Sequence, residues 1–105
     1  MPLWTIYEPW GWGTGDADQL LIQLRRFGSV TVLNGHIHQI VQKVEGNMTF
    51  HTARPTSYPQ PAPGVGSGPG PLKVPADQLP GLLGITSVSV VKHPSSLALT
   101  DTTLA

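Results

Sequence analysis

The chain has 105 residues, with six basic and six acidic side chains and therefore a formal net charge of zero. This length fits one small domain. Charged residues make up only 11% of it, where about a quarter is usual for a soluble domain, and this low charge favours a piece of a larger protein. No basic run is present, which excludes the electrostatic footprint of a nucleic-acid-binding surface. The lack of cysteine excludes disulfides and thiolate metal sites.

The N-terminal segment does not have the pattern of a targeting signal. It lacks the basic start and the long apolar stretch of a signal peptide. No part of the sequence approaches the roughly 18 apolar residues of a membrane span. The compartment stays open, because an export signal upstream of Met1 would not be visible in this chain.

The first predicted elements are a strand end over Leu3–Tyr7 and an amphipathic helix over 16–27. Asp16 is the predicted N-cap and Gly28 follows the predicted helix end. Apolar side chains recur through the helix at the spacing of one face, at Ala17, Leu20, Leu21, Leu24 and Phe27. We therefore expect this helix to pack against a sheet.

A short apolar strand, Ser29–Leu33, follows the helix, and this order is typical of one step of a layered α/β fold. Partial alternation over 39–45 and over 48–53 predicts two further strands. Gly46-Asn47 between them is a two-residue turn signal, so 39–53 is predicted to form a hairpin.

The composition changes from Pro55 to Gly84, where fourteen of thirty residues are Pro or Gly. Such a stretch forms few regular elements, because Pro removes backbone donors and Gly populates many backbone states. We expect one helical turn within Asp77–Leu83. Strands over 86–92 and 97–104 then complete the chain, with a turn at 93–96. The predicted organisation is therefore 1–54, a Pro/Gly-rich loop over 55–84, and a C-terminal hairpin over 85–105.

Two histidines one residue apart, His36 and His38, follow Gly35 at the end of the first apolar strand. Imidazole is the commonest metal ligand among side chains, and α/β folds place their chemistry just beyond strand ends. On an extended backbone the two rings point the same way and share one metal. On a loop they diverge toward two metals, and Gly35 is the residue expected to permit the tight turn. From the residues alone, two polar side chains ending a strand are an equally open interpretation.

The segment Asn34-Gly35-His36-Ile37-His38 resembles G-H-x-H, the last metal-binding motif of the calcineurin-like metallophosphoesterases. The resemblance to the C-terminal part of bacterial members covers most of the chain. It extends to Pro2–Trp4, Trp10–Trp12, the helix up to Gly28, 29–39, Phe50–Arg54 and Pro59–Pro63.

The resemblance implies the C-terminal portion of a two-sheet α/β/β/α sandwich, with one main helix and five or six strands; the isolated chain would be α+β. It implies that His36 and His38 bind opposite metals of a binuclear site that hydrolyses phosphoester bonds. Two ions of Fe, Mn or Zn suit such ligands. Asn34, Gly35 and Gln39 are then candidates for support of the metal ligands, through contacts with the ligand side chains or through the backbone.

The resemblance also implies further ligands, from D-x-H, G-D and G-N-H motifs and from a single His, all N-terminal to G-H-x-H. Asp16 and Asp18 form D-x-D at a helix start, and Met1 stands where the single His is expected. We therefore expect the missing N-terminal half of the fold to be a partner of this chain. We also expect an exposed apolar sheet face where that half would pack, and little or no activity from the chain alone.

Two alternatives remain open. One is a non-catalytic β-rich interaction domain whose Pro/Gly stretch binds a partner. The other is a mononuclear structural metal site that uses His36, His38 and His51. For His51 itself, which lies in a predicted strand, a structural hydrogen bond is the favoured interpretation.

Overall fold

A computed structural model describes residues 2–4, 7–11, 13–66, 68, 70–92 and 96–105. It is a mixed α+β structure, whose described elements include one α-helix and five strands in two small sheets. Helix α1 is Ala17–Leu24, and the strands are β1 (Val30–Asn34), β2 (Gln42–Glu45), β3 (Met48–Thr52), β4 (Gly84–Val91) and β5 (Ser96–Thr103). The mixed fold class and the strand count agree with the prediction.

Helix α1 is shorter than the predicted helix over 16–27. It ends at Leu24 with Arg25 as its C-cap, and Phe27 is 51% exposed, so the apolar stripe does not reach that far. Asp16 occupies the N-cap position, but its side chain makes no capping hydrogen bond. Asn47 instead binds the chain just beyond the helix, because its Nδ2 donates to the carbonyl oxygens of Arg25 and Phe27.

The predicted strand end over Leu3–Tyr7 is not formed in the described residues. Leu3, Trp4 and Tyr7 belong to no strand, and residues 5 and 6 lie outside the described part of the chain. A 3₁₀ turn, Glu8–Trp10, follows instead. Proline at its start and Gly11 at its end, with φ of +67°, limit this turn to three residues.

The first sheet has the order β1-β3-β2. The predicted hairpin is present, because β2 and β3 pair antiparallel across the turn at Gly46, whose φ is +58°. Strand β1 pairs parallel with β3, with Val32 opposite Phe50 and Leu33 opposite His51. The chain crosses from β1 to β2 through the segment that carries the two histidines, at the carboxyl end of β1.

One face of this sheet forms the core. Phe50 and Met48 are fully buried there and pack with Leu21 of α1. Partly buried apolar side chains surround this cluster, namely Leu3, Trp4, Leu24, Val30 and Val32. Burial of a large aromatic ring such as Phe50 contributes on the order of 2 kcal/mol relative to exposure.

The second sheet is the antiparallel hairpin β4-β5. At the base of the hairpin, a Cβ added to Gly84 would collide with the carbonyl oxygen of Thr102 in the partner strand. The hairpin meets the first sheet where Asp101 of β5 contacts His51 of β3, and His51 alternates with Phe50 along β3, so it lies on the face opposite the core. The 3₁₀ turn Leu79–Gly81 before it confirms the predicted helical turn within 77–83. Of the predicted turn at 93–96, residues 93–95 lie outside the described residues, and β5 begins at residue 96.

Several large apolar side chains of the two sheets are exposed. Val44 of β2 is 68% exposed and Val90 of β4 is 73% exposed. Val88 and Leu97 of the hairpin are also exposed, and together with Val90 they share one face of the hairpin, because paired residues of antiparallel strands point the same way. In the described part of the chain, no helix is long and apolar enough to cross a membrane.

Candidate metal centre

His36 and His38 both adopt the left-handed backbone conformation, with φ of +74° and +60°. This conformation is uncommon for residues other than glycine, and such strain concentrates at functional sites. The prediction that Gly35 permits the turn is wrong, because Gly35 has no positive φ and an added Cβ there would meet nothing within 4 Å. The turn is made by the histidines themselves.

The ring of His38 has a defined hydrogen-bond partner. Its Nδ1 lies 2.7 Å from the carbonyl oxygen of Tyr58, twenty residues further along the chain. A carbonyl oxygen only accepts, so Nδ1 donates, and in the neutral ring the lone pair is then on Nε2. The rings of His38 and Tyr58 also pack together, with centroids 4.4 Å apart. The orientation and the tautomer of His38 are therefore both fixed from outside the motif.

Asn34 and Gln39 hold the two ends of the histidine segment. The backbone carbonyl of Asn34 accepts from the amide of Ala53 at 3.1 Å. The carbonyl of Gln39 accepts from the buried hydroxyl of Thr52 at 2.6 Å, and its side-chain Nε2 donates to the carbonyl of Pro61 at 2.8 Å. These bonds tie the segment to β3 on one side and to the Pro/Gly-rich loop on the other.

His36 and His38 line one cavity of about 200 Å³ at the carboxyl end of β1. Its remaining lining residues are Gly35 and the segment after β3, which comprises Ala53, Arg54, Pro55, Thr56 and Ser57. The sequence did not indicate that Arg54 and Tyr58 belong here. Both lie beyond a hairpin, and only the pairing of β1 with β3 brings them to the histidines.

His51 lies elsewhere, on the face of the sheet that meets the hairpin. Its Nε2 is 3.0 and 3.2 Å from the two carboxylate oxygens of Asp101, and the hydroxyl of Thr86 donates to the same carboxylate at 2.5 Å. Burial opposes ionisation of Asp101. The hydrogen bonds from Thr86 and His51 and the charges of His51 and Arg54 outweigh it, and they hold the pKa of this carboxyl below 3.8.

The structural hydrogen bond predicted for His51 is thus present. Within the described residues, no three His, Cys, Asp or Glu side chains are grouped so that they could hold a metal ion. The alternative in which His36, His38 and His51 share one structural metal is therefore wrong, because His51 pairs with Asp101 instead.

The donors at the cavity fit part of a metal site. Ligating histidines almost always donate their other ring N–H to a carbonyl or a carboxylate, as His38 does to Tyr58. Two imidazoles alone do not complete a zinc, iron or manganese site, which takes four or more ligands. At this cavity the described residues therefore offer two imidazoles, fewer than such a site requires.

No model of a protein family matches this chain, and neither a curated protein nor a solved structure matches it. The case for a function therefore depends on the geometry of the site.

Proposed function

We propose that this chain contributes the last two metal ligands, His36 and His38, to a binuclear phosphoesterase site that hydrolyses phosphoester bonds. The observation that carries the proposal is the hydrogen bond from His38 Nδ1 to the carbonyl of Tyr58. It leaves the Nε2 lone pair for a metal and removes the rotational freedom of the ring. The G-H-x-H resemblance supplies the reaction class.

The backbone conformation supports binding of His36 and His38 to two different metal ions. Two consecutive same-face positions of a strand would direct both rings to one ion, but His36 and His38 are both in the left-handed conformation and belong to no strand. Such a segment suits two ions that share one cavity. His36 and His38 would each hold one ion of Fe, Mn or Zn, and the bound pair would supply Lewis-acid charge stabilisation and an activated water at neutral pH.

The chain's own contribution is to position these donors. Asn34 and Gln39 hold the ends of the segment by backbone hydrogen bonds, and Tyr58 orients His38. The carboxylate ligands of the complete site belong to another segment or chain, and these residues alone are expected to turn over little or no substrate.

The test is a calorimetric titration of the chain with Zn²⁺ and Mn²⁺, together with melting curves in the same metals. A ligand that binds the native state raises its melting temperature. We expect saturable binding that weakens by at least about tenfold in His36→Ala and in His38→Ala, since even loss of an outer-shell partner has that effect. His93→Ala, which removes a histidine outside the motif, is the matched control.

Equal metal affinity in the His36→Ala/His38→Ala double variant would overturn the assignment. Unchanged melting of the wild-type chain in both metals would also overturn it, and would favour the interaction-domain alternative. Activity is measured separately, as metal-dependent turnover of p-nitrophenyl phosphate by residues 1–105. Turnover that is lost in His36→Ala would contradict the expectation that these residues alone have little or no activity.

A further inference from the structure

The cavity of His36 and His38 also contains a cation that has no bonded partner. Arg54 lines it, and the guanidinium makes no hydrogen bond and no ion pair with any described residue. Its charge interacts with that of Asp101, but the two side chains form no hydrogen bond or ion pair with each other. Asp101 is already bound by His51 and Thr86. The positive charge of Arg54 is therefore left for a ligand.

The stem of Arg54 is held in place by the second sheet. Its Cδ lies 3.1 Å from the position of a Cβ at Gly84, so the arginine packs against the glycine that begins β4. The backbone around it is fixed as well, because the amide of Gly84 donates to the carbonyl of Pro55 at 3.0 Å. Packing of the stem reduces the conformational freedom that Arg54 would lose on binding a ligand.

The other polar side chains of the cavity are neutral. Thr56 and Ser57 are exposed at its rim, and their hydroxyls make no hydrogen bond with the described part of the chain. Among the described residues, none that lines the cavity is acidic. Beside the two imidazoles, the lining therefore offers one guanidinium and two hydroxyls, which are groups able to donate hydrogen bonds to an oxyanion.

We propose that Arg54, with Thr56 and Ser57, binds the non-bridging oxygens of a terminal phosphoryl group, so that the ligand class of this cavity is phosphate monoesters. The guanidinium forms two parallel hydrogen bonds to phosphate oxygens, a geometry that lysine cannot reproduce. A monoester carries close to two negative charges at neutral pH and a diester carries one. A cavity without acidic residues favours the more highly charged group.

This inference rests on the proposed function, because a bound monoester would be the substrate of that site. Phosphate binding can nevertheless be measured separately from metal binding. Arg54 binds the anion directly, so inorganic phosphate should bind to the metal-free, EDTA-treated chain. The probe is inorganic phosphate, followed by calorimetry and by ³¹P line broadening. Methyl phosphate and dimethyl phosphate then serve as the monoester and diester arms.

We expect Arg54→Ala to weaken phosphate binding by about 10-fold or more, as for loss of a charge-assisted hydrogen bond. Arg54→Lys should recover only part of the affinity. Arg26→Ala removes an exposed arginine near Phe27 and is the matched control. Zn²⁺ affinity should stay within about twofold in all three variants. Dimethyl phosphate should bind at least about tenfold more weakly than methyl phosphate.

Phosphate affinity that is the same in wild type and Arg54→Ala, or no saturable binding by the wild type, would overturn the inference. Equal affinity for both methyl esters would overturn the monoester assignment. If Arg54→Ala melts at a lower temperature, Arg54→Lys decides the case, because it keeps the charge and the stem. The two proposals can fail separately. If Arg54→Ala loses phosphate binding but metal affinity does not depend on His36, the proposed function is refuted and the inference about Arg54 stands.

Discussion

Removal of the Asp101 carboxylate should weaken the contact between the two sheets and lower the free energy of unfolding. This group forms a polar contact between β3 and the β4-β5 hairpin, because it accepts from His51 Nε2 at 3.0 Å. Within the hairpin it also accepts from Thr86 Oγ1 at 2.5 Å. The side chain of His51 is 5% exposed and that of Asp101 is 21% exposed. Asp101→Ala would therefore leave a buried donor on His51 without its partner.

The magnitude follows from two hydrogen bonds to a charged acceptor. Each contributes about 1.5 to 3 kcal/mol, and the partial exposure of Asp101 places both near the lower end. The expected loss in the free energy of unfolding is about 3 kcal/mol, from a total that is typically about 5 to 15 kcal/mol. In a domain of this size such a loss lowers the melting temperature by more than about 10 °C.

The measurement is urea denaturation followed by tryptophan fluorescence and far-ultraviolet circular dichroism. Thr86→Val and Thr100→Val form a matched pair, because both lie in the hairpin, but only the Thr86 hydroxyl binds Asp101. Thr86→Val should cost about 1.5 kcal/mol and Thr100→Val less than about 0.5 kcal/mol. An Asp101→Ala loss no larger than that of Thr100→Val would refute the reasoning.

The same contact predicts a pH dependence. The pKa of Asp101 is lowered in the folded state, so its contribution to stability is present above the unfolded pKa of about 3.9. That contribution is lost as the pH falls through the folded pKa, which is lower than the unfolded one. The stability difference between wild type and Asp101→Asn should therefore shrink as the pH falls from about 5 to below the folded pKa. A difference that is constant over this range would contradict the assignment.

Two further predictions concern packing. Phe50→Ala should lower the free energy of unfolding by about 3 to 5 kcal/mol, because the ring is fully buried in the core. The exposed Val44→Ala serves as its control in urea denaturation, and similar losses in both would contradict the assigned core. Gly84→Ala should cost more than about 1 kcal/mol, because its Cβ would meet the Thr102 carbonyl, whereas Gly28→Ala has open space and should cost little. Equal melting temperatures for the two variants would show that the hairpin base tolerates a Cβ.

Local patterns in the sequence predicted most of the elements. Apolar residues at helical spacing predicted α1, and Gly46-Asn47 predicted the hairpin that β2 and β3 form. The ends of elements were less predictable. The helix over 16–27 stops at Leu24, since Phe27 finds no buried position, and packing rather than periodicity sets that boundary.

The candidate site could be predicted only in part. The motif identified His36 and His38 as the residues of interest, but it assigned the turn to Gly35, which does not make it. Arg54 belongs to a segment of the resemblance, but no pattern assigned it to the site. Tyr58 carried no signal, because nothing in a Pro-rich segment distinguishes one carbonyl from another.

The sequence by itself determined the composition, the neutral charge, the mixed α and β elements and the pair of histidines. Only the tertiary structure decided which residues meet. The parallel pairing of β1 with β3 places the segment after β3 beside the histidines, and the hairpin brings Asp101 to His51 across fifty residues. Local patterns report backbone preferences over a few residues, whereas these contacts depend on how separate strands align once the core around Phe50 is packed.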